Sequence, residues 1–110
     1  MTDSAVDLLQ GTLDLLILKA LAFGPLHGWA ISKRIRQMSR EVLSVNQGSL
    51  YPALYRLEER GWIVGEEGLS SEGRRIKLYQ HTAAGRKQLA QEVETWNVFA
   101  TAMQHVIRAT

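Results

Sequence analysis

The sequence predicts a mainly helical fold carrying one small β-hairpin, and three observations lead to it. Apolar residues recur at helical spacing in four stretches, near residues 8–21, 28–38, 50–57 and 89–107. Between the third and fourth stretches, residues 62–81 switch to short alternating runs on either side of a Gly/Ser-rich segment. The chain has 110 residues, 45% apolar and 22% charged, which is one domain's worth of polypeptide with enough aliphatic material for a core.

The first helix is expected over Leu8–Leu21. Leu9, Leu13, Leu16, Ile17, Ala20 and Leu21 form a stripe, while Leu8, Leu15 and Leu18 lie off it, so the helix must be covered from several directions. Phe23-Gly24-Pro25-Leu26 stops it, because glycine suits a C-terminal cap and proline cannot continue. A second helix runs from about Gly28 to Met38 with Ile31, Ile35 and Met38 inward. Leu43 to Val45 is a β-compatible link. The third helix begins near Gln47–Leu50, buries Leu50, Leu54 and Leu57, and ends at Arg60-Gly61. Asn46 or Ser49 caps it. Pro52 favours Ser49, since proline is tolerated in a first turn and costly later.

The hairpin follows. Trp62-Ile63-Val64 opens it, residues 68–73 form a polar tip, and Ile76 to His81 alternates, with Ile76 and Leu78 on one face and Lys77 and Tyr79 on the other. Thr82 caps a last helix that would extend roughly 40 Å. Leu89, Val93, Trp96, Ala100, Met103 and Ile107 are spaced 4, 3, 4, 3, 4 along it, an a/d seam widened by Phe99 and Val106. Either this helix folds back on the other three, or it pairs with a second copy and also grips the first helix. The seam, longer than the compact unit before it, favours a homodimer through Leu9, Leu13, Leu16, Leu89, Val93, Trp96, Ala100, Met103 and Ile107.

Three helices followed by a hairpin is the winged helix-turn-helix plan, here with a long C-terminal dimerisation helix appended. Residues 1–81 are then a DNA-binding domain and 82–110 the dimerisation helix. Between His27 and Arg60 stand six basic residues against three acidic ones. With Leu50, Leu54 and Leu57 buried, the third helix turns Gly48, Ser49, Pro52, Tyr55, Arg56 and Glu59 outward, and Gln47, Ser49 and Pro52 near its start are placed to meet base edges. Gly48 either lets the backbone approach closely or is a turn residue. Tyr51 is either core or a phosphate contact. Arg56 either meets a phosphate or pairs with a nearby acid such as Glu59. His27 and Gly28 open the second helix, where free amides either suit a phosphate or are capped locally. Lys33 adds charge, and the wing offers Arg74, Arg75 and Lys77 beside Glu66, Glu67 and Glu72.

Three blocks resemble a known family. Leu9-Gln10-Gly11-Thr12-Leu13-Asp14-Leu15-Leu16-Ile17-Leu18, Gly24-Pro25-Leu26-His27-Gly28-Trp29-Ala30-Ile31 and Gly48-Ser49-Leu50-Tyr51-Pro52-Ala53-Leu54-Tyr55-Arg56-Leu57-Glu58 are similar to PadR-type transcriptional regulators, as is the return strand into Thr82-Ala83-Ala84-Gly85. The resemblance, over residues 8–90, implies a winged-helix homodimer on a roughly palindromic operator, most often a repressor released by a small molecule. Trp29 stands where the family usually has tyrosine at a phosphate contact. His81 replaces a usual aliphatic residue and is expected to perturb hairpin packing. Trp96 is either seam core or, paired across a dimer axis, a platform for a flat aromatic effector in a cavity lined by Trp96, Phe99, Ala100 and Leu18 or Leu15.

Other classes find little support in these residues. The chain has no cysteine, and His27, His81 and His105 lack metal spacing, so no cofactor, metal or catalytic residue is expected. The longest apolar stretch, Leu13–Phe23, is broken by Asp14 and Lys19 and is too short to span a bilayer. No leader pattern marks the chain for export, so a cytoplasmic location is expected. The alternative to a DNA-binding regulator is a winged-helix adaptor that binds protein without touching DNA.

Overall fold

The computed structural model describes the backbone from Asp3 and the side chains from Thr12 onward. Helix α1 spans Asp3–Ala20 and runs into a 3-10 turn, Leu21–Phe23. Strand β1 (Leu26–His27), helix α2 (Gly28–Met38) and helix α3 (Gln47–Glu59) follow, then β2 (Ile63–Leu69), β3 (Arg75–His81) and helix α4 (Ala83–Arg108). This is the expected mainly helical winged helix-turn-helix, with one addition. Leu26 and His27, assigned in sequence to the helix stop and the next helix start, pair antiparallel with Tyr79 and Leu78, so the wing is a three-stranded sheet in the order β1-β3-β2. Two residues are too few for an alternation to show.

Helix α1 is enclosed as its composition requires. Leu13, Ile17, Leu18, Ala20 and Leu21 are buried, and the helix touches α2, α3 and α4. Ile31 and Ile35 reach it from α2, and Leu50, Ala53, Leu54 and Leu57 from α3. Met38, expected inward, is exposed at the end of α2. Each fully buried Leu or Ile is worth about 2 kcal/mol over its exposed state.

The ends of α3 correct one expectation. Asn46, not Ser49, is the cap: its Oδ1 accepts the Ser49 N–H at 2.8 Å. Pro52 therefore lies inside the helix, where it withholds the bond that would reach the Gly48 carbonyl. The Asn46 side chain wins because its carbonyl reaches the third helical amide, which leaves Ser49 no capping role. At the other end Gly61 takes a left-handed φ of 76°, the Trp62 N–H reaches the Leu57 carbonyl (3.1 Å) and the Gly61 N–H the Glu58 carbonyl (3.0 Å). These two bonds form a Schellman stop that aims the chain into β2.

The link between α2 and α3 is not a strand. Ser39 organises it, donating to the Arg36 carbonyl (3.1 Å) and accepting the Leu43 N–H (2.9 Å), while Arg40 and Glu41 both adopt positive φ. In the wing, Ile63, Tyr79 and Leu26 share the core-facing side, so the buried face of β3 is the one carrying Tyr79 and Lys77, and Ile76 and Leu78 are half-buried on the other. His81 does not disturb the packing: its ring Nε2 donates to the Leu18 carbonyl, one of the acceptors α1 leaves unpaired near its C-terminus.

Helix α4 starts as expected, with Thr82 Oγ1 accepting the Gly85 N–H at 3.0 Å and donating to the Gly61 carbonyl at 2.6 Å. It does not fold back. Leu89 packs against the core, but Val93, Trp96, Met103 and Ile107 are exposed, Ile107 by 67%. The start of α4 lies so close to the β2 entry that a Cβ at Gly85 would fall 1.8 Å from the Trp62 carbonyl oxygen, a backbone atom. Gly85→Ala is therefore expected to cost about 2 kcal/mol, read as a drop of roughly 10 °C in Tm. An unchanged Tm would mean that α4 docks elsewhere.

Candidate nucleic-acid interface

Burial of Leu50, Ala53, Leu54 and Leu57 fixes the rotation of α3, and the face left outside carries Gln47, Gly48, Tyr51, Pro52, Tyr55 and Glu59. Tyr55 is 65% exposed. Ser49 is half-buried, with its amide given to Asn46. Gly48 sits in the first turn of α3 rather than in a turn before it, and its backbone is exposed.

Tyr51 joins α3 to α2. Its ring end rests against Gly28, where any Cβ would collide with the hydroxyl, so the ring packs while its outer edge stays exposed. His27 occupies the N-cap position of α2 without making a side-chain cap bond. Its ring instead stacks on Trp29, 6.0 Å between centroids and nearly parallel. Lys33 Nζ lies 5.0 Å from the Trp29 ring centroid on the other turn. Trp29 is 57% exposed, so this His–Trp–Lys column stands at the surface beside the start of α3.

The cations divide into two groups. Arg56 is not free for a phosphate: its Nη2 lies 2.6 Å from Asp14 on α1, a half-buried pair that Arg60 joins at 3.9 Å. Its acid comes from α1, not from a neighbour on its own helix. Lys77 is likewise occupied, 3.3 Å from Glu58, whose other oxygen accepts the Gly65 N–H at 3.2 Å. Glu58 thereby ties α3 to β2 and β3. Arg74 and Arg75 are exposed and make no ion pair within the described residues. They flank a tip shaped by Ser70, whose hydroxyl accepts the Glu72 and Arg74 amides.

Comparison with known proteins fits this geometry. Residues 17–91 match the model of the transcriptional regulator PadR-like family. The chain belongs to that family. Over 76 residues it is 36% identical to a transcriptional regulator of Mycobacterium tuberculosis, covering 69% of this chain and 67% of that protein. A transcriptional regulator from Clostridium thermocellum superposes with a TM-score of 0.84 at 30% identity, covering 93% of this chain and 99% of that one. A PadR-like regulator from Bacillus cereus does so with a TM-score of 0.79 at 26% identity, covering 94% and 99%. This PadR-family chain is thus a transcriptional regulator of the winged-helix type, in a family of regulators rather than enzymes. Among the described residues no three His, Asp or Glu side chains gather as a metal site, and no helix is long and apolar enough to cross a membrane.

Several expected site residues stand elsewhere in this PadR-like fold. Leu13 is core rather than seam, while Leu16 and Leu89 are half-buried against that core; the side chain of Leu9 lies outside the described residues. Leu18 is fully buried and cannot line an effector cavity. The hollow beside Phe99 is bordered instead by Gln91, Glu94, Thr95, Val98 and Ala102, without Trp96 or Ala100. Sequence reasoning missed Asp14 and Glu58, although a lone acid within an apolar helix was a signal that a buried-side partner exists.

The wing base has an alkaline signature. Burial raises the Tyr79 hydroxyl above its usual value of 10.0, and the hydrogen bond that Lys77 donates to Glu58 raises Lys77 above 10.5. In both cases the unfolded chain loses its proton first, so the stabilisation is intact below about pH 10 and disappears as pH rises through the folded values. Tm is expected to fall above pH 10, and Tyr79→Phe to fall less steeply; parallel curves would remove Tyr79 from the account.

Proposed function

We propose that the protein is a homodimeric repressor that seats two winged heads on a pseudo-palindromic DNA operator and leaves it when a small hydrophobic, aromatic effector binds. Residues 1–81 form the DNA-binding domain in this reading, and 82–110 the dimerisation helix. The observation that carries it is the exposed start of α3 with Lys33 beside it on α2, and Arg74 and Arg75 exposed at the wing tip, none of the three paired with a carboxylate among the described residues. Major-groove width accepts one helix, and residues at its N-terminal end reach base edges first.

Gln47, Ser49 and Pro52 take the base-facing positions, with Gly48 allowing close approach. Tyr51, Tyr55, Trp29 and the His27–Gly28 backbone face the sugar-phosphate chain, and Lys33, Arg74 and Arg75 supply charge. Arg56 and Lys77 stay outside the contact set because Asp14 and Glu58 already neutralise them. An adaptor would need an apolar patch over α3 and the wing tip; the polar Gln47 and the cationic Arg74 and Arg75 there favour DNA.

Gel shifts on the protein's own promoter DNA at a series of salt concentrations test this directly. Arg75→Ala is expected to weaken all duplexes alike and to flatten the slope of log K against log salt by about one. Arg56→Ala should leave that slope unchanged. Equal slopes in wild type and Arg75→Ala would remove the wing from the interface.

Dimerisation rests on the uncovered face of α4, where Val93, Trp96, Met103 and Ile107 are exposed with Ala100 half-buried among them. A strip this long is an association surface rather than a stable solvent face. Met103→Glu is expected to give a folded monomer in ultracentrifugation that no longer retards the duplex; a dimer that persists would move the interface. The effector would lie beside Trp96, Phe99 and Ala100, with half-buried Leu15 the remaining candidate on α1. Planar aromatics should quench Trp96 and release DNA, and identical quenching in Trp96→Ala would exclude that position.

A further inference from the structure

Helix α3 carries a single cation within its span, Arg56, against two acids, Glu58 and Glu59. Arg56 shares one stripe of the helix with Ser49 and Pro52, just over a turn beyond the proline. Its guanidinium is held by a carboxylate from another element, Asp14 on α1, at 2.6 Å. We propose that Asp14 is a specificity-determining residue: by keeping Arg56 on α1 it leaves the reading helix without a free cation, so that α3 contributes affinity only where base edges fit. This rests on the DNA-binding reading above and concerns a residue that touches no DNA.

Every charge on α3 bears this out. Glu58 is neutralised by Lys77 at 3.3 Å. Glu59 is exposed and makes no ion pair among the described residues, so the outer face of α3 presents an anion and no unpaired cation. Arg60, at the C-cap, is 3.9 Å from Asp14 and lies over the Trp62 ring, 5.3 Å from its centroid, at the end of α3 remote from Gln47. The positive charge that draws any duplex is thus placed off α3, at Lys33, Arg74 and Arg75.

Partial burial makes the clamp hold against a phosphate. Arg56 keeps 33% of its side chain exposed and could swing outward, but doing so would strand the Asp14 carboxylate, only 14% exposed, without its close partner. The consequence for DNA follows from what phosphate contacts can and cannot do. They carry no sequence information, and they supply nearly all of the affinity for a random duplex but only a share of it for a cognate one. On random DNA no base contact fixes α3, so a freed Arg56 would settle against whichever phosphate it reached. On the cognate duplex the base contacts fix the seat of α3, and a freed Arg56 would gain little. Withholding that one cation therefore lowers random binding more than cognate binding.

The test measures binding of the full chain to its own promoter duplex and to a random duplex across a salt series, for wild type, Asp14→Ala, Arg56→Ala and the double variant. Asp14→Ala should bind the random duplex about tenfold more tightly at low salt, with a slope steeper by about one for each bound head. Promoter affinity should change by no more than about twofold, so the promoter-to-random ratio falls roughly fivefold. The double variant should return to the wild-type slope, because the cation responsible is gone. Lost stability alone would weaken both duplexes and steepen neither slope. If Asp14→Ala does not fold, Asp14→Asn, which keeps the shape and removes the charge, should steepen the random-duplex slope in the same direction. An unaltered slope in the folded Asp14 variant overturns the proposal, and so does a steep slope that survives in the double variant. Wild type that retains neither duplex at the lowest salt sinks the DNA-binding reading itself, an outcome distinct from both.

Discussion

Ile17 and Leu18 stand side by side on α1, their side chains about 100° apart around the axis, and both are fully buried. That is possible only because helices close on α1 from more than one direction, and this enclosure governs the rest of the molecule. α2 and α3 are held at a fixed angle by the apolar side they share with α1, and α4 is placed by its first turns against the same helix. The exposed face of α3 is therefore a consequence of what α3 must bury. Its polar residues are aimed without any dedicated device beyond three leucines, Leu50, Leu54 and Leu57.

Electrostatics follow from the same arrangement. Asp14 is a carboxylate with 14% of its side chain exposed, on a helix otherwise committed to packing, and a charge so placed must be paired. Arg56 and Arg60 satisfy it, which joins α3 to α1 by a polar clamp alongside the apolar one. Glu58 plays a matching part toward the wing. Basic residues thus do two jobs in this fold, and position decides which: Arg56, Arg60 and Lys77, near the junctions of elements, are paired internally, while Lys33, Arg74 and Arg75 make no ion pair among the described residues.

Much of this was legible in the residues themselves. Helical periods located all four helices, the Gly/Ser tip located the wing, and Thr82 marked the start of α4, because each is a local signal. What stayed hidden was set by distance in the chain. Asp14 and Arg56 are 42 positions apart, and His81 and Leu18 are 63 apart. The β1 pairing depends on Leu26 and His27 meeting a strand fifty residues later, with too little length to announce itself. Of the two cap candidates, Pro52 favours Ser49 by a local rule that the Asn46 hydrogen bond outweighs. Leu13, expected at the dimer seam, and Leu18, expected at an effector cavity, are core instead, because a helix apolar all round does not disclose which side its own domain will cover.

Helix α4 has one more consequence. It leaves the compact body as a continuous helix from the Gly85 docking point past Val93, with no glycine or proline in between to absorb a change of pitch. Adding or deleting one residue in that stretch would spin the uncovered strip by about 100° relative to the head. Changes of seven would return it to within roughly 20°. The shaft is in effect a keyed axle, and over evolutionary time such a segment can lengthen or shorten only in whole heptad steps if the two ends are to keep their mutual bearing.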